Sequence, residues 1–399
     1  MSASGAIAYL TAGYQQESHH MKAGKTLQEL AAEIQRQMDA KKDFIAPLAQ
    51  IELVATGPGK TALLLGAKPS MATDVIPLDR RQGYDVGAVA HAQLAESVGI
   101  PKPYYDRCLA EAPELLAGDV NHWLRKMVED AKAPPKKLVR TLDGNVRALL
   151  SDRYRPLDNF ALCEAVLPVI AEQELFIASM EITGRRLYIK AFDKKIEREI
   201  KLKGTDAAHT FLTDVVFPSI TISNSEVGYG SLSIAAGIYT GGCTNFASFS
   251  DSRMRKYHLG GKALDSEEIY ALLSDETKAV SDKAIWLQTR DVVRSAFEIA
   301  RFEERVTRVQ ETTEQRIEGE VLKVVEVVGQ QFSFSKEELG SVLKHLIEGG
   351  SLTRYGLFNA ITRTAEDLPD YERATEFERA GGELIELPSN QWERLAKAA

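Results

Sequence analysis

A chain of 399 residues is long for one domain, and 44% apolar with 27% charged residues is the composition of an ordinary folded protein with a core of its own. No apolar run reaches the roughly 20 residues of a membrane helix, and three scattered cysteines, Cys108, Cys163 and Cys243, exclude a disulfide framework or a thiolate zinc site and point to a reducing cytoplasm. The net charge of −8 is unevenly placed, with 17 Lys and Arg against 27 Asp and Glu from Ala263 to Ala399 but 15 against 10 from Lys132 to Lys203, an acidic C-terminal third beside a locally basic middle.

In chain order, residues 1–24 carry no apolar period and read as irregular, with no basic segment ahead of an apolar core, so no secretory leader is expected. Lys25–Ala40 sets Leu27, Leu30, Ile34 and Met38 at helical spacing and predicts an amphipathic helix. Ile51–Ala55 and Ala62–Gly66 read as strands of a hairpin across Gly57-Pro58-Gly59-Lys60. Ala88–Val98 is a helix stopped by Gly99, Tyr104–Ala110 a second, and Asp119 or Asn121 is expected to cap a third carrying Trp123, Leu124 and Met127. Lys132–Lys137, proline-rich and basic, reads as a linker. Asn145–Leu150 and Phe160–Glu174 are expected as helices flanking a basic loop, Ser151–Pro156.

Leu175–Glu181 and Arg186–Phe192 predict a hairpin turning at Thr183-Gly184-Arg185, which Glu199–Lys203, Val215–Ile222 and Gly230–Tyr239 extend into a sheet. Asp265 or Ser266 is expected to open a long helical region reaching Arg316. Ser335, with Glu338 three residues on, is a capping-box pattern for a helix over Lys336–Glu348, and Ser351–Asp367 comes after it. The fold class is therefore α+β: an N-terminal mixed α/β unit, a central mainly antiparallel sheet with an adjoining long helix, and a helical C-terminal tail. The expected divisions are 1–42 for the irregular start and first helix, 43–131 for the mixed unit, 138–316 for the basic core and 317–399 for the acidic region.

Signatures of catalysis are thin. Gly57-Pro58-Gly59-Lys60-Thr61 has the look of a phosphate-binding loop, but Val54 stands where that motif needs glycine, and the next residues, Ala62–Gly66, read as strand, not as a phosphate-holding helix. No H-E-x-x-H, G-x-S-x-G or paired-cysteine motif occurs, and His19, His20, His91, His122 and His209 stand alone. Cys243 and His258 lack the spacing of a nucleophile and its base, and Glu226 gathers no further carboxylates for a metal. No catalytic residue, metal or cofactor is expected.

What remains is positive charge interleaved with aromatic rings. Arg140, Arg147, Arg153 and Arg155 accompany Tyr154; Arg185, Arg186 and Lys190 accompany Tyr188; Arg253, Arg255 and Lys256 precede Tyr257 and His258. Cations on phosphates, with rings on which bases stack, equip a protein for single-stranded nucleic acid. The alternative is a solvated strand face carrying ordinary tyrosines.

Several stretches together resemble the phage/plasmid-like protein family, domain of unknown function 932. They are Tyr84–Tyr105, Asn121-His122-Trp123-Leu124, Arg147–Tyr154, Asn224–Gly228 with Cys243-Thr244-Asn245, His258-Leu259-Gly260 and Arg354–Ala360, and they span most of the chain from Asp43 onward. The chain departs from the pattern at Phe246, where relatives often carry glycine. The resemblance marks Asn224, Glu226, Gly228, Cys243 and Asn245 as a structural motif. Through a fold-level similarity to Rad52-like single-strand annealing proteins, it implies a basic groove that holds phosphates and leaves base edges free. The expected function is single-stranded DNA binding and strand annealing in homologous recombination of a phage or plasmid, without cofactor, by a cytoplasmic ring- or filament-forming homo-oligomer with no membrane partner. A non-enzymatic interaction, regulatory or defence protein of a mobile element is the second expectation, and a metal-dependent nuclease the third. The acidic tail is expected to regulate binding, not to build the site.

Overall fold

The computed structural model describes residues 24–66, 82–152, 154, 156–202, 213–241, 245–249 and 274–398. Thr26 starts helix α1 (Leu27–Ala40): its hydroxyl accepts from the Glu29 amide while the Glu29 carboxylate accepts from the Thr26 amide, a closed capping box. Next come β1 (Lys42–Pro47), a 3-10 turn (Leu48–Gln50), β2 (Ile51–Gly57), β3 (Lys60–Leu65), β4 (Gln82–Val86), α2 (Ala88–Val98), α3 (Lys102–Glu111), α4 (Pro113–Asp130), β5 (Lys136–Leu142) and β6 (Asn145–Ser151). The six strands form one sheet in the order β1-β5-β6-β4-β3-β2, antiparallel except for β4 beside β6.

The two edge strands of this sheet are consecutive in the chain. Four Cα steps from Pro47 to Ile51 reach at most about 15 Å, whereas the edges of six flat strands stand about 24 Å apart. The sheet must curl, and the Phe44 ring of β1 comes to 5.8 Å from that of Tyr84 in β4. Ala90, Leu94, Tyr105, Leu116, Val120 and Leu124 of the helices pack with Leu53, Leu63, Val139 and Val146 of the strands in one core.

Three expectations need correction here. Asn145–Leu150 is strand, not helix, because Asp143 (φ 52°) and Gly144 (φ 78°) form a two-residue turn of left-handed residues that folds β6 back on β5. Lys132–Lys137 does not separate a first unit from a second: Lys136 and Lys137 begin β5, so the first sheet runs to Ser151 and crosses the expected boundary. Helix α4 begins at Pro113, and Asn121 is mid-helix, not a cap. Its side-chain amide accepts from Leu53 N and donates to Leu53 O, 2.8 Å each, closing the outer edge of β2. The Gly57–Thr61 stretch is a hairpin turn between β2 and β3, as expected.

Helix α5 (Asn159–Glu172) leads to the second sheet: β7 (Phe176–Ile182), β8 (Leu187–Phe192), β9 (Arg198–Lys201), β10 (Thr213–Asn224), β11 (Ser233–Thr240) and β12 (Asn245–Ser248), ordered β12-β11-β10-β8-β7 with β9 on β10. Ile189, Ala191, Ile220, Ile222, Ile234 and Ala236 cover one face with apolar side chains against α1, α5 and α6 (Asp275–Ser295). The long helical region breaks at residues 296–298 before α7 (Ile299–Thr312), and the expected start at Asp265 or Ser266 lies outside the described residues. Phe297 belongs to the core under α5 and Phe302 to the next one. In a straight helix five positions rotate the second ring about 140° from the first, so a break lets each enter its own core.

The tail comprises α8 (Val321–Gln331), α9 (Lys336–Gly349), α10 (Arg354–Asp367), α11 (Tyr371–Glu386) and α12 (Ser389–Ala396). Its Val324, Leu346, Phe358, Phe377, Leu384 and Trp392 share one core with Ile200, Val216, Ile238 and Ala247 of the second sheet. The acidic region is thus built into the sheet's own packing and is not a detachable extension. The observed class is α+β, and no described helix is long and apolar enough to cross a membrane.

Candidate nucleic-acid interface

The Asn224–Gly228 corner joins the two sheets. Asn224 donates to Leu157 O at 2.7 Å and to Asn159 Oδ1 at 2.9 Å, while Glu226 Oε1 accepts from the Asn159 amide at 2.7 Å. Gln93 of α2 donates to Val227 O and accepts from Leu149 N, tying the corner to β6. Gly228 has φ 81°, and a Cβ there would stand 2.6 Å from Leu150 Cδ2, so both backbone and space call for glycine. Asn245, at the start of β12, donates to Thr362 Oγ1 at 3.1 Å; Cys243 lies outside the described residues.

The cations singled out in the sequence divide sharply. Arg140 is 0% exposed, donating to Asp43, to Asp158 at 2.8 Å and to Glu226 O at 2.9 Å. Burial alone would lower its pKa, but Asp43, Asp158 and Glu226 together outweigh that and raise it. Arg147 Nη2 stands 2.7 Å from Glu226 Oε2, close in charge though poorly aligned as a hydrogen bond, and the Tyr154 hydroxyl donates to Ser225 O. Lys190 is 4% exposed, its Nζ 2.8 Å and 2.7 Å from the two Glu378 oxygens. Arg140 and Lys190 are therefore corrections, because both are enclosed on internal carboxylates and neither reaches a phosphate. Arg147, too, is held by an internal carboxylate.

Arg186 donates to Tyr229 O and Ser223 Oγ, whereas Arg185 keeps half its side chain in water, over the Tyr229 ring at 4.9 Å and 3.4 Å from Glu372. Arg153, Arg155, Arg253, Arg255, Lys256 and His258 lie outside the described residues.

The face of the second sheet opposite the apolar one has two halves. Helix α11 covers the polar half, with Glu378 on Lys190, Tyr371 hydrogen-bonded to Ser179 at 2.7 Å and its ring 5.3 Å from Tyr188. A cavity of about 30 Å³ lies there among Ser179, Lys190, Asn245, Phe246, Tyr371 and Glu378. It has room for a water, not for a base.

The other half is aromatic. Phe176 pairs with Phe192 across β7 and β8, Phe217 with Tyr239 across β10 and β11, and Tyr239 with Phe246 across β12. Phe192 also pairs with Ser219, two residues from Phe217, so register puts all five rings on one face. Centroids lie 5.1 Å apart for Phe176–Phe192, 5.6 Å for Phe192–Phe217 and 4.2 Å for the stacked Phe192–Tyr239. Lys194, exposed, holds its Nζ 3.8 Å from the Phe176 centroid with no carboxylate at ion-pair distance among the described residues. Neither the five rings nor Lys194 stand out in the sequence. Only the strand register brings them together, and β8 (Leu187–Phe192) is buried at every position, so alternation there is hidden.

Other groups are structural. His91 is buried against the Tyr105 hydroxyl at 2.8 Å, and desolvation lowers its pKa to about 4. Burial pushes the Cys163 thiol up to about 12, far from a reactive thiolate. Among the described residues no three His, Cys, Asp or Glu converge as a metal site. No family model, no curated protein and no solved structure matches the chain.

Proposed function

We propose that this protein binds single-stranded DNA and brings complementary strands together without a cofactor, as a homo-oligomer. The observation that carries the reading is the aromatic half of the second sheet with Lys194 over its outermost ring. Clustered rings on a sheet face offer stacking surfaces to unpaired bases, and a cation with no carboxylate at ion-pair distance among the described residues is available to a phosphate. The buried fate of Arg140 and Lys190 moves the reading from the basic clusters to this face. The resemblance to the phage/plasmid-like family supports DNA recombination as the setting.

Fluorescence anisotropy with labelled single- and double-stranded oligonucleotides, at rising salt, tests it. Single strands should bind more tightly, and the log–log salt slope should be about −0.7 per neutralised phosphate. Equal affinity for duplex, or binding insensitive to salt, refutes the reading. A second reading, an interaction protein of a mobile element, is favoured by Tyr104, Leu115 and Trp123, each roughly half exposed on α3 and α4. Failure to bind any oligonucleotide at low salt would turn attention to that surface.

A further inference from the structure

Of the five rings on the aromatic half-face, Phe192, Tyr239 and Phe246 are 3–5% exposed and so closed to a ligand, whereas Phe176 and Phe217 are only partly buried. These two flank Phe192, on β7 and β10 to either side of β8. Their centroids lie 5.1 Å and 5.6 Å from that of Phe192, which with two strand spacings between them puts the two rings about 10 Å apart. We infer that this face takes two unpaired bases of one strand, stacked on Phe176 and Phe217, with the nucleic-acid backbone crossing the protein strands over Phe192 and a phosphate held at Lys194. The inference rests on the nucleic-acid reading above and gives it a footprint.

The spacing selects the form of the ligand. Stacked bases rise about 3.4 Å each, so two stations about 10 Å apart do not receive neighbouring bases of a stacked helix. Inside a duplex, moreover, each base face is already covered by its neighbours, and a protein ring reaches only bases that have been splayed out. The site therefore suits a stretched single strand. Every base has a π face, so the two stations are tolerant of sequence.

Lys194 has a role in this. In the free protein its ammonium covers the Phe176 ring face at 3.8 Å, the position a stacking base would take. A lysine head on a flexible four-carbon stem swings readily, and an arriving base displaces it onto that nucleotide's own phosphate. The ring stays covered in the absence of DNA, and the displaced charge is used when DNA binds.

The test uses the full chain with 5′-labelled oligothymidylates of increasing length, read by anisotropy, with thermal melting to confirm that each variant is folded. Phe176→Leu and Phe217→Leu keep the apolar bulk and remove the ring. Each should weaken binding roughly 5- to 150-fold, leave the salt slope unchanged, and combine in the double variant. Phe176→Trp should restore affinity, which a merely structural role for the side chain would not predict. Lys194→Gln should reduce the salt slope by about 0.7, one phosphate contact. Wild-type binding that survives both leucine variants unchanged overturns the two-station inference while leaving the nucleic-acid reading in place. Absence of wild-type binding overturns both.

Discussion

The joint around Arg140 and the aromatic end of the second sheet are made from the same residue types and use them oppositely. At the joint, two guanidiniums meet carboxylates from three other elements and a tyrosine hydroxyl meets a carbonyl, so every charge is answered within the chain. At the aromatic end, five rings come together and the nearby lysine, among the described residues, finds a ring instead of a carboxylate. A count of cations and tyrosines along the sequence scores the two alike. The difference is whether a carboxylate arrives from elsewhere in the chain, and that is a property of the fold.

The largest test of this contrast is Arg140→Ala. Removing one partner of a buried ion cluster typically costs 3–5 kcal/mol, and about 3 kcal/mol is expected here because Asp43 and Asp158 keep some access to water. Chemical denaturation should show this as a lower midpoint with an unchanged slope. Loss of DNA affinity with full stability would instead restore Arg140 to the binding surface.

Burial without a partner charge gives an effect of similar size. His91 in the folded chain titrates near 4, below its ordinary 6.5, so the unfolded chain takes up the proton first. Its contribution is complete above about pH 6.5 and is lost as pH falls toward 4, amounting to about 3 kcal/mol. Stability curves of wild type and His91→Asn across that window should differ in slope, and parallel curves would count against a neutral buried imidazole. The smallest effect is expected at the aromatic end: Lys194→Gln should change stability by no more than about 0.5 kcal/mol. A larger loss would mean that Lys194 is structural like Lys190, and the contrast between the regions would collapse.

Much of the fold is legible in the chain itself. Thr26 with Glu29 and Ser335 with Glu338 are local signals, three residues apart, and both close as capping boxes. The second hairpin is legible from its Thr183-Gly184-Arg185 turn. The Asp143-Gly144 dipeptide is equally local, yet the apolar run after it has a helix-like look that masks the turn and hides β6. The site is harder for a physical reason. Asp43 lies 97 residues from Arg140 and Glu378 lies 188 from Lys190, so no window of sequence contains the pair. The aromatic face likewise needs the registers of five strands before its rings become neighbours.

The curled first sheet has a consequence for how the protein is made. Lys42 at the start of β1 pairs with Thr141, 99 residues later. A ribosome adding about 5–20 residues each second needs roughly 5–20 s to deliver that partner. During this interval β1 has emerged without the strand it pairs with, while β2 and β3 can already form their hairpin. Completion of the six-stranded sheet is therefore a late event of synthesis, and it is Asp143-Gly144, the turn that folds β6 onto β5, that lets β5 dock on β1 and β6 on β4 in one step.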